Sequence, residues 1–258
     1  GTTNRTRLSD YSEVSAEAAM LLKVHPSNYH IEGFTESVAA KELAELAQQY
    51  DLPSCVDLGS GTLVDLPRFD LPAEPTPQQV LADGVDLITF SGDKLLGGVQ
   101  AGIIVGKREL IERIRKNPMK RALRADKITL AVLEATLKRY EDSDTLHKNI
   151  PILRIMTRPV AELEQTARKL KDALSSGYSC KVENSQAQIG SGALPDRTLP
   201  SLALTISHSE FSAEDISNNL RALPVPVVGR IKDDCVWLDL RCAEPLDELT
   251  QQLSLLPA

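Results

Sequence analysis

The sequence predicts an α/β protein in two parts: part of a large domain on a mainly parallel sheet over residues 1–150, and a smaller α+β domain over residues 151–258. Three observations carry this. Short apolar runs alternate with helical patterns in the first half, the signature of βαβ units. Two amphipathic segments flank a polar stretch near residue 150, which marks a boundary. Beyond it, short strand-like runs are interspersed with helices. A chain of 258 residues, 42% apolar and 25% charged, is ordinary globular material for one large or two modest domains.

The elements follow in order. Residues 37–50 place Val38, Ala39, Leu43, Ala44, Leu46 and Ala47 at helical spacing. The run 54–57 reads as a strand ending in Asp57 and glycines. Residues 65–77 are proline-rich and aperiodic, a loop, with a short helix at 77–82. Residues 85–90 form an apolar strand leading to Lys94, and 101–106 a second buried strand. A helix over 108–117 is stopped by Pro118. Residues 127–140 and 159–174 are the two clearest amphipathic helices, separated by a stretch containing Asp142-Ser-Asp144. Strands are expected around 178–182, 202–206, 227–231 and 236–240, helices at 213–223 and 246–255, and a mobile surface loop at 188–200.

Lys94 is the most informative residue. It follows a buried strand and precedes paired glycines in Thr89-Phe-Ser-Gly-Asp-Lys94-Leu-Leu-Gly-Gly98. A strand that delivers an amine to a site points to Schiff-base chemistry, since only lysine can hold an aldehyde cofactor covalently and then shuttle a proton. Asp57 lies 37 residues upstream, at the end of another strand. A carboxylate there is what a pyridinium nitrogen needs to stay protonated, which points to pyridoxal 5′-phosphate as an electron sink. Taken alone, Asp57 reads more readily as a cap or turn residue.

Charge and cysteines exclude other classes. The formal net charge of -7 argues against a generic nucleic-acid-coating protein, because phosphates reward clustered positive charge. Cys55, Cys180, Cys235 and Cys242 are scattered without metal-ligand spacing, so no metal site and no disulfide framework is indicated. A reducing cytoplasm is the simplest setting, and no apolar run is long enough to span a membrane. The chain opens on Gly1 without a methionine, and an upstream portion is expected to precede it.

Together, Gly1-Thr-Thr-Asn-Arg-Thr6, Val24-His-Pro-Ser-Asn-Tyr29, Gly33-Phe-Thr35, Val56-Asp-Leu-Gly-Ser-Gly61, the Lys94 motif and Met119-Lys-Arg-Ala-Leu-Arg-Ala-Asp-Lys127 resemble the bacterial selenocysteine synthase family, the L-seryl-tRNA(Sec) selenium transferases. The resemblance is dense to about residue 140 and looser beyond. It implies a fold-type-I pyridoxal-phosphate-dependent transferase. It also implies conversion of seryl-tRNA(Sec) to selenocysteyl-tRNA(Sec) through an aminoacrylate intermediate, with selenophosphate as selenium donor. Family members form a ring of dimers and carry an N-terminal tRNA-binding region and further large-domain sequence ahead of what is present here. The chain alone is therefore expected to be inactive and to hold the cofactor weakly.

Residue by residue, the resemblance makes Lys94 the cofactor-bearing lysine and Asp57 the partner of the ring nitrogen. Ser91 would face the cofactor phosphate. Arg121 and Arg124 match arginines near the selenium donor, and two guanidinium forks three residues apart on one helical face can converge on one anion. Asp93 gains an active-site position without a defined role; from the residues alone it is a turn former. His25 reads as hydrogen-bonded or solvated, or as lining the cofactor site. Residues 107–127 hold nine basic and three acidic side chains, a local charge of +6. A solvated helix face or an anion site accounts for that run. Cys235 and Cys242 read as packing residues and Trp237 as core. Two other functions stay open: a pyridoxal-phosphate lyase or transferase acting on a free amino acid, and a non-catalytic tRNA-docking or assembly fragment.

Overall fold

The computed structural model describes residues 1–142, 144–190, 192–194 and 197–257. Contacts divide the chain into two compact units, Gly1–Arg154 with Ile189–Arg197, and Ile155–Gln188 with Thr198–Ala258. The division thus falls four residues beyond 150, and an inserted segment of the second half groups with the first unit.

In the first unit, α1 (Leu8–Ser12) precedes β1 (Leu21–Val24), α2 (Ala40–Gln49), β2 (Ser54–Asp57), α3 (Pro77–Ala82), β3 (Leu87–Ser91) and β4 (Gly102–Gly106). The sheet order is β1-β2-β3-β4; the first three strands are parallel and β4 runs antiparallel to β3. Alternation along the strands gives the two faces different work. Leu21, Val56, Ile88 and Phe90 share one face and pack with Leu43, Leu46 and Ala47 of α2. The register puts Leu22, Val24, Asp57, Thr89 and Ile104 on the other. There Leu22, Val24 and Ile104 are exposed, so the polar pair Asp57 and Thr89 sits on the less covered face. Residues 101–106 are therefore a partly exposed edge strand, where the sequence suggested a buried one.

After β4 come α4 (Arg108–Lys116), α5 (Lys120–Leu123), α6 (Lys127–Arg139), α7 (Leu146–Asn149) and α8 (Pro151–Thr157). Helix α6 starts where the Asp126 carboxylate caps the amides of Ile128 and Thr129. Its apolar side chains Ile128, Leu130 and Val132 are exposed, and none of its residues is buried. Periodicity recognised the helix but not what covers it. Ser143, between Asp142 and Asp144, lies outside the described residues.

The second unit holds α9 (Val160–Ala173), β5 (Tyr178–Gln188), β6 (Thr198–His208), α10 (Ala213–Arg221), β7 (Arg230–Lys232), β8 (Cys235–Asp239) and α11 (Leu246–Leu253). Its sheet is antiparallel, in the order β5-β6-β8-β7. Leu163 and Leu170 of α9, Leu204 and Ile206 of β6, Ile216 of α10 and Leu253 of α11 close its core. Two buried arginines clasp the chain reciprocally. Arg158 donates to the carbonyls of Leu240 and Arg241, and Arg241 donates to those of Ile155, Met156, Arg158 and Pro200. Two expectations are corrected here. Trp237 is only partly buried, with its ring under Arg230 and Lys232 and its indole N–H on the Lys232 carbonyl at 3.0 Å, and Cys242 is exposed.

Candidate active site

Asp57, Ser91, His25 and the Lys94 turn lie at the C-terminal ends of the parallel strands. Asp57 ends β2, pairs with Val24 of β1 on one side and Thr89 of β3 on the other, and Ser91 ends β3 three residues before Lys94. Ligands of open α/β sheets bind at such carboxyl ends.

Asp57 is fixed by two donors. The Thr89 hydroxyl donates to its Oδ1 at 2.8 Å and the Gly59 amide to the same oxygen at 3.2 Å. Oδ2 takes no hydrogen bond from the described residues, so one carboxylate oxygen is held and the other is available. Gly59 is required by geometry: its φ of +65° favours glycine, and a Cβ there would stand 2.3 Å from Ser27 Oγ. The Gly59 carbonyl then accepts from the Ser91 amide at 3.0 Å, tying the two strand ends together.

Lys94 follows β3 in a tight turn, where the Gly97 amide donates to the Lys94 carbonyl and the Gly98 amide to Gly92, each at 2.8 Å. Gly97 sits at φ +71° against Ile150 and Ile152. The Tyr140 hydroxyl, after α6, donates to the Leu96 carbonyl at 2.7 Å, and burial pushes its pKa well above the ordinary phenol range, so it stays protonated. Lys94 itself is half-buried, and its Nζ has no hydrogen-bond partner among the described residues. Its stem lies against Gly192, whose ideal Cβ would be 3.4 Å from Lys94 Cε. The 188–200 stretch is corrected accordingly. β5 continues through Gln188, β6 begins at Thr198, Gly192 abuts the Lys94 stem and the Leu194 amide donates to Ser27 at 3.0 Å. Ser191, Pro195 and Asp196 lie outside the described residues.

His25 follows β1; its amide donates to the Asp57 carbonyl at 2.8 Å. Its Nε2 lies 3.3 Å from Glu74, which also accepts from Ser60 Oγ at 3.3 Å. His25 lines a cavity of about 760 Å³ that also includes Arg5, Tyr29 and Glu74. Asp93 is exposed in the Lys94 turn. Arg121 and Arg124 are not brought to the site: both are exposed, and none of their hydrogen bonds or ion pairs reaches the Lys94 or Asp57 side chains. The shared helical face is corrected too, because α5 ends at Leu123 and Arg124 has extended backbone. Sequence reasoning missed Thr89, Glu74, Ser60 and Gly192. Thr89 and Ser60 lay inside quoted motifs, whereas Glu74 and Gly192 meet the site only through tertiary contacts.

A family model described as SelA, L-seryl-tRNA selenium transferase, matches residues 1–244. The chain belongs to that family. Its relatives include the L-seryl-tRNA(Sec) selenium transferases of Yersinia enterocolitica, 48% identical, and Yersinia pestis, 50% identical, each over 98% of this chain and 57% of the relative. The chain thus spans a little over half the length of the curated relatives it matches. Among solved structures, D-glucosaminate-6-phosphate ammonia-lyase superposes with a TM-score of 0.61 at 18% identity, over 98% of this chain and 62% of that one. The fold class is that of the fold-type-I pyridoxal-phosphate-dependent enzymes. The donor set fits that cofactor's ring: an anchored carboxylate with a free oxygen for a ring N–H, and, in the turn after the neighbouring strand, an amine with no hydrogen-bond partner among the described residues. Among the described residues no cluster of His, Cys, Asp and Glu could hold a metal ion, and no helix is long and apolar enough to cross a membrane.

Proposed function

We propose that this chain carries the catalytic centre of an enzyme that converts seryl-tRNA(Sec) to selenocysteyl-tRNA(Sec) with selenophosphate as donor. Residues 1–150 act as the cofactor-binding part of a large domain and 151–258 as a small domain. The observation that carries the reading is the placement of Asp57 at the end of β2 and of Lys94 in the turn three residues beyond the end of its parallel neighbour β3, in a chain about half identical to named selenium transferases.

Bound pyridoxal phosphate supplies an electron sink that makes the serine Cα proton removable. Lys94 would hold the cofactor through Nζ and, when free of it, would take the Cα proton on that atom. Asp57 would accept the ring N–H on Oδ2 while Thr89 and Gly59 keep Oδ1 still. Ser91 donates to the phosphate, and His25, steadied by Glu74, lines the site. Arg121 and Arg124 bind the selenophosphate anion, with Asp93 beside them, after a movement or a neighbouring copy brings them to the site. A homo-oligomer, a ring of dimers as in the family, is the proposed assembly. The cytoplasm is the proposed setting, supported by cysteines that are all free.

The test is borohydride reduction of the full-length protein with pyridoxal phosphate, followed by peptide mapping. The pyridoxyl group is expected on Lys94 and absent from Lys94→Ala, with the fold intact. Recovery of the label on Lys107 or another lysine sinks the assignment.

A further inference from the structure

We propose that Tyr140 is a positioning residue for Lys94: its hydroxyl holds the turn that carries the lysine and so sets where the amine can reach. The inference rests on the proposed reading of Lys94 and adds to the site a residue far from the lysine in sequence. Lys94 needs such support. Its Nζ has no hydrogen-bond partner among the described residues, and its stem lies against Gly192, which offers no polar side chain. A flexible stem without a polar partner is placed by its backbone.

That backbone is a turn held at several points. The Gly97 amide donates to the Lys94 carbonyl and the Gly98 amide to the Gly92 carbonyl, each at 2.8 Å. Gly97, at φ +71°, sits against Ile150 and Ile152, so the turn cannot relax in that direction. Between them Leu96 is 0% exposed, which puts its carbonyl out of reach of water. The Tyr140 hydroxyl, at 2.7 Å, is the hydrogen-bond donor to that carbonyl among the described residues. A buried carbonyl without a donor is costly, so losing the hydroxyl pushes the turn to open toward water.

Helix α6 is patterned to deliver this contact. Thr129, Leu133, Thr136 and, just after the helix, Tyr140 are partly covered while the residues between them are exposed, one stripe of the 3.6-residue period. Thr136 also meets the turn, since a Cβ at Gly98 would stand 3.3 Å from its Cγ2, but its hydroxyl is taken by the Val132 carbonyl of its own helix. Only Tyr140 brings the stripe to a polar atom of the turn. Burial keeps that phenol protonated, which suits a fixed donor and not a proton relay.

The test is a double-mutant cycle on the full-length protein. Tyr140→Phe keeps the ring and deletes the hydroxyl. Tyr178→Phe is the control, because it deletes a hydroxyl bonded at 2.8 Å to the Pro257 carbonyl in the second unit. In cofactor-free protein, Tyr140→Phe should speed amide deuterium exchange of residues 92–100 by about three- to tenfold, the scale of one lost hydrogen bond, and Tyr178→Phe should leave it unchanged. With pyridoxal phosphate bound, Tyr140→Phe should slow solvent-deuterium exchange into the serine Cα by about tenfold, because a small misplacement of a reacting group is costly. In Lys94→Ala rescued by added methylamine, which takes the proton in place of Nζ, the same substitution should change nothing. A residue that acts through Lys94 has nothing left to position there, whereas a general structural defect slows both backgrounds. Equal slowing in the two backgrounds, or unchanged amide exchange at residues 92–100, overturns the role of Tyr140. If Lys94→Ala exchanges the Cα proton at the wild-type rate without methylamine, the reading of Lys94 itself falls, and this inference with it.

Discussion

Removing the Thr89 hydroxyl tests the carboxylate site with the least collateral change. Thr89→Val keeps the β-branched shape suited to a strand and deletes one donor. That donor stands 2.8 Å from Asp57 Oδ1, and the Gly59 amide, at 3.2 Å, is the other. A hydrogen bond to an ionised group contributes about 1.5–3 kcal/mol. The bond exists with or without ligand, so the larger share of it belongs to folding, and the variant should lose about 1–2 kcal/mol of stability in urea unfolding. The remainder is preorganisation. With one long bond left, the carboxylate must be fixed again when a ring N–H arrives, and pyridoxal phosphate should dissociate about three- to tenfold more readily, or about 0.6–1.4 kcal/mol. Asp57→Asn removes the charge itself; it should still admit the cofactor but slow Cα-proton exchange by about a hundredfold or more, since an amide cannot keep the ring nitrogen protonated. The assays are spectrophotometric titration of full-length apoprotein and solvent-deuterium exchange into the serine Cα. Cofactor affinity unchanged in Thr89→Val, together with wild-type exchange in Asp57→Asn, would refute the role given to Asp57.

Replacing both Arg121 and Arg124 should weaken use of selenophosphate while sparing loss of the serine hydroxyl, each lost charge-assisted bond costing about 1.5–3 kcal/mol; a variant that keeps donor affinity but no longer eliminates contradicts this. Asp86 is buried, which opposes its ionisation, but the Lys107 ammonium and the Ser54 amide and hydroxyl overcome that and hold its carboxyl below the usual range. Because the folded value is lowered, the stabilisation is present above the ordinary carboxylate value of about 4 and lost as pH falls through the folded value. Asp86→Asn should therefore lower stability at pH 7 and flatten its decline below about pH 4, and an unchanged acid limb in urea unfolding counts against it. Arg241→Leu removes the donor from four carbonyls, those of Met156 and Arg158 in buried contacts, and should destabilise the second unit by about 2–3 kcal/mol; a loss under about 1 kcal/mol would show that water replaces the clasp.

How far the fold was legible depended on whether a segment's own pattern decided its structure. Helix α9 buries Leu163, Ala167 and Leu170 in its own unit, and the 3.6-residue period found it. β2 and β3 were found because burial on both faces makes an apolar run. β1 was missed: Leu21-Leu-Lys-Val24 is four residues with a charge, and only pairing with β2 makes it a strand. The inward Lys23 is tolerated because its amine donates to the Val38 carbonyl, a contact no local pattern announces. Trp237 failed for a similar reason, since size alone suggested a core residue, whereas flanking cations solvate its ring.

The site divides along the same line. The positions of Asp57 and Lys94 were legible because one ends a strand and the other follows one by three residues, and strand ends in a parallel sheet converge whatever lies between them in sequence. Arg121 and Arg124 were legible only as chemistry, since a four-residue helix gives them no common face and nothing in the first unit draws them inward. Their exposure belongs with that of Met119, Leu123, Ile128 and Leu130 nearby, a run of apolar side chains that isolated folding gives no reason to leave in water. A basic stretch interleaved with uncovered apolar residues is poorly suited to a free surface and well suited to a surface that meets more protein. The arginines and the apolar side chains thus pose one problem: whatever covers residues 119–130 also decides where the two guanidinium groups point. That is why the double arginine variant has to be examined in the assembled, full-length protein, where donor affinity and subunit association can be measured separately.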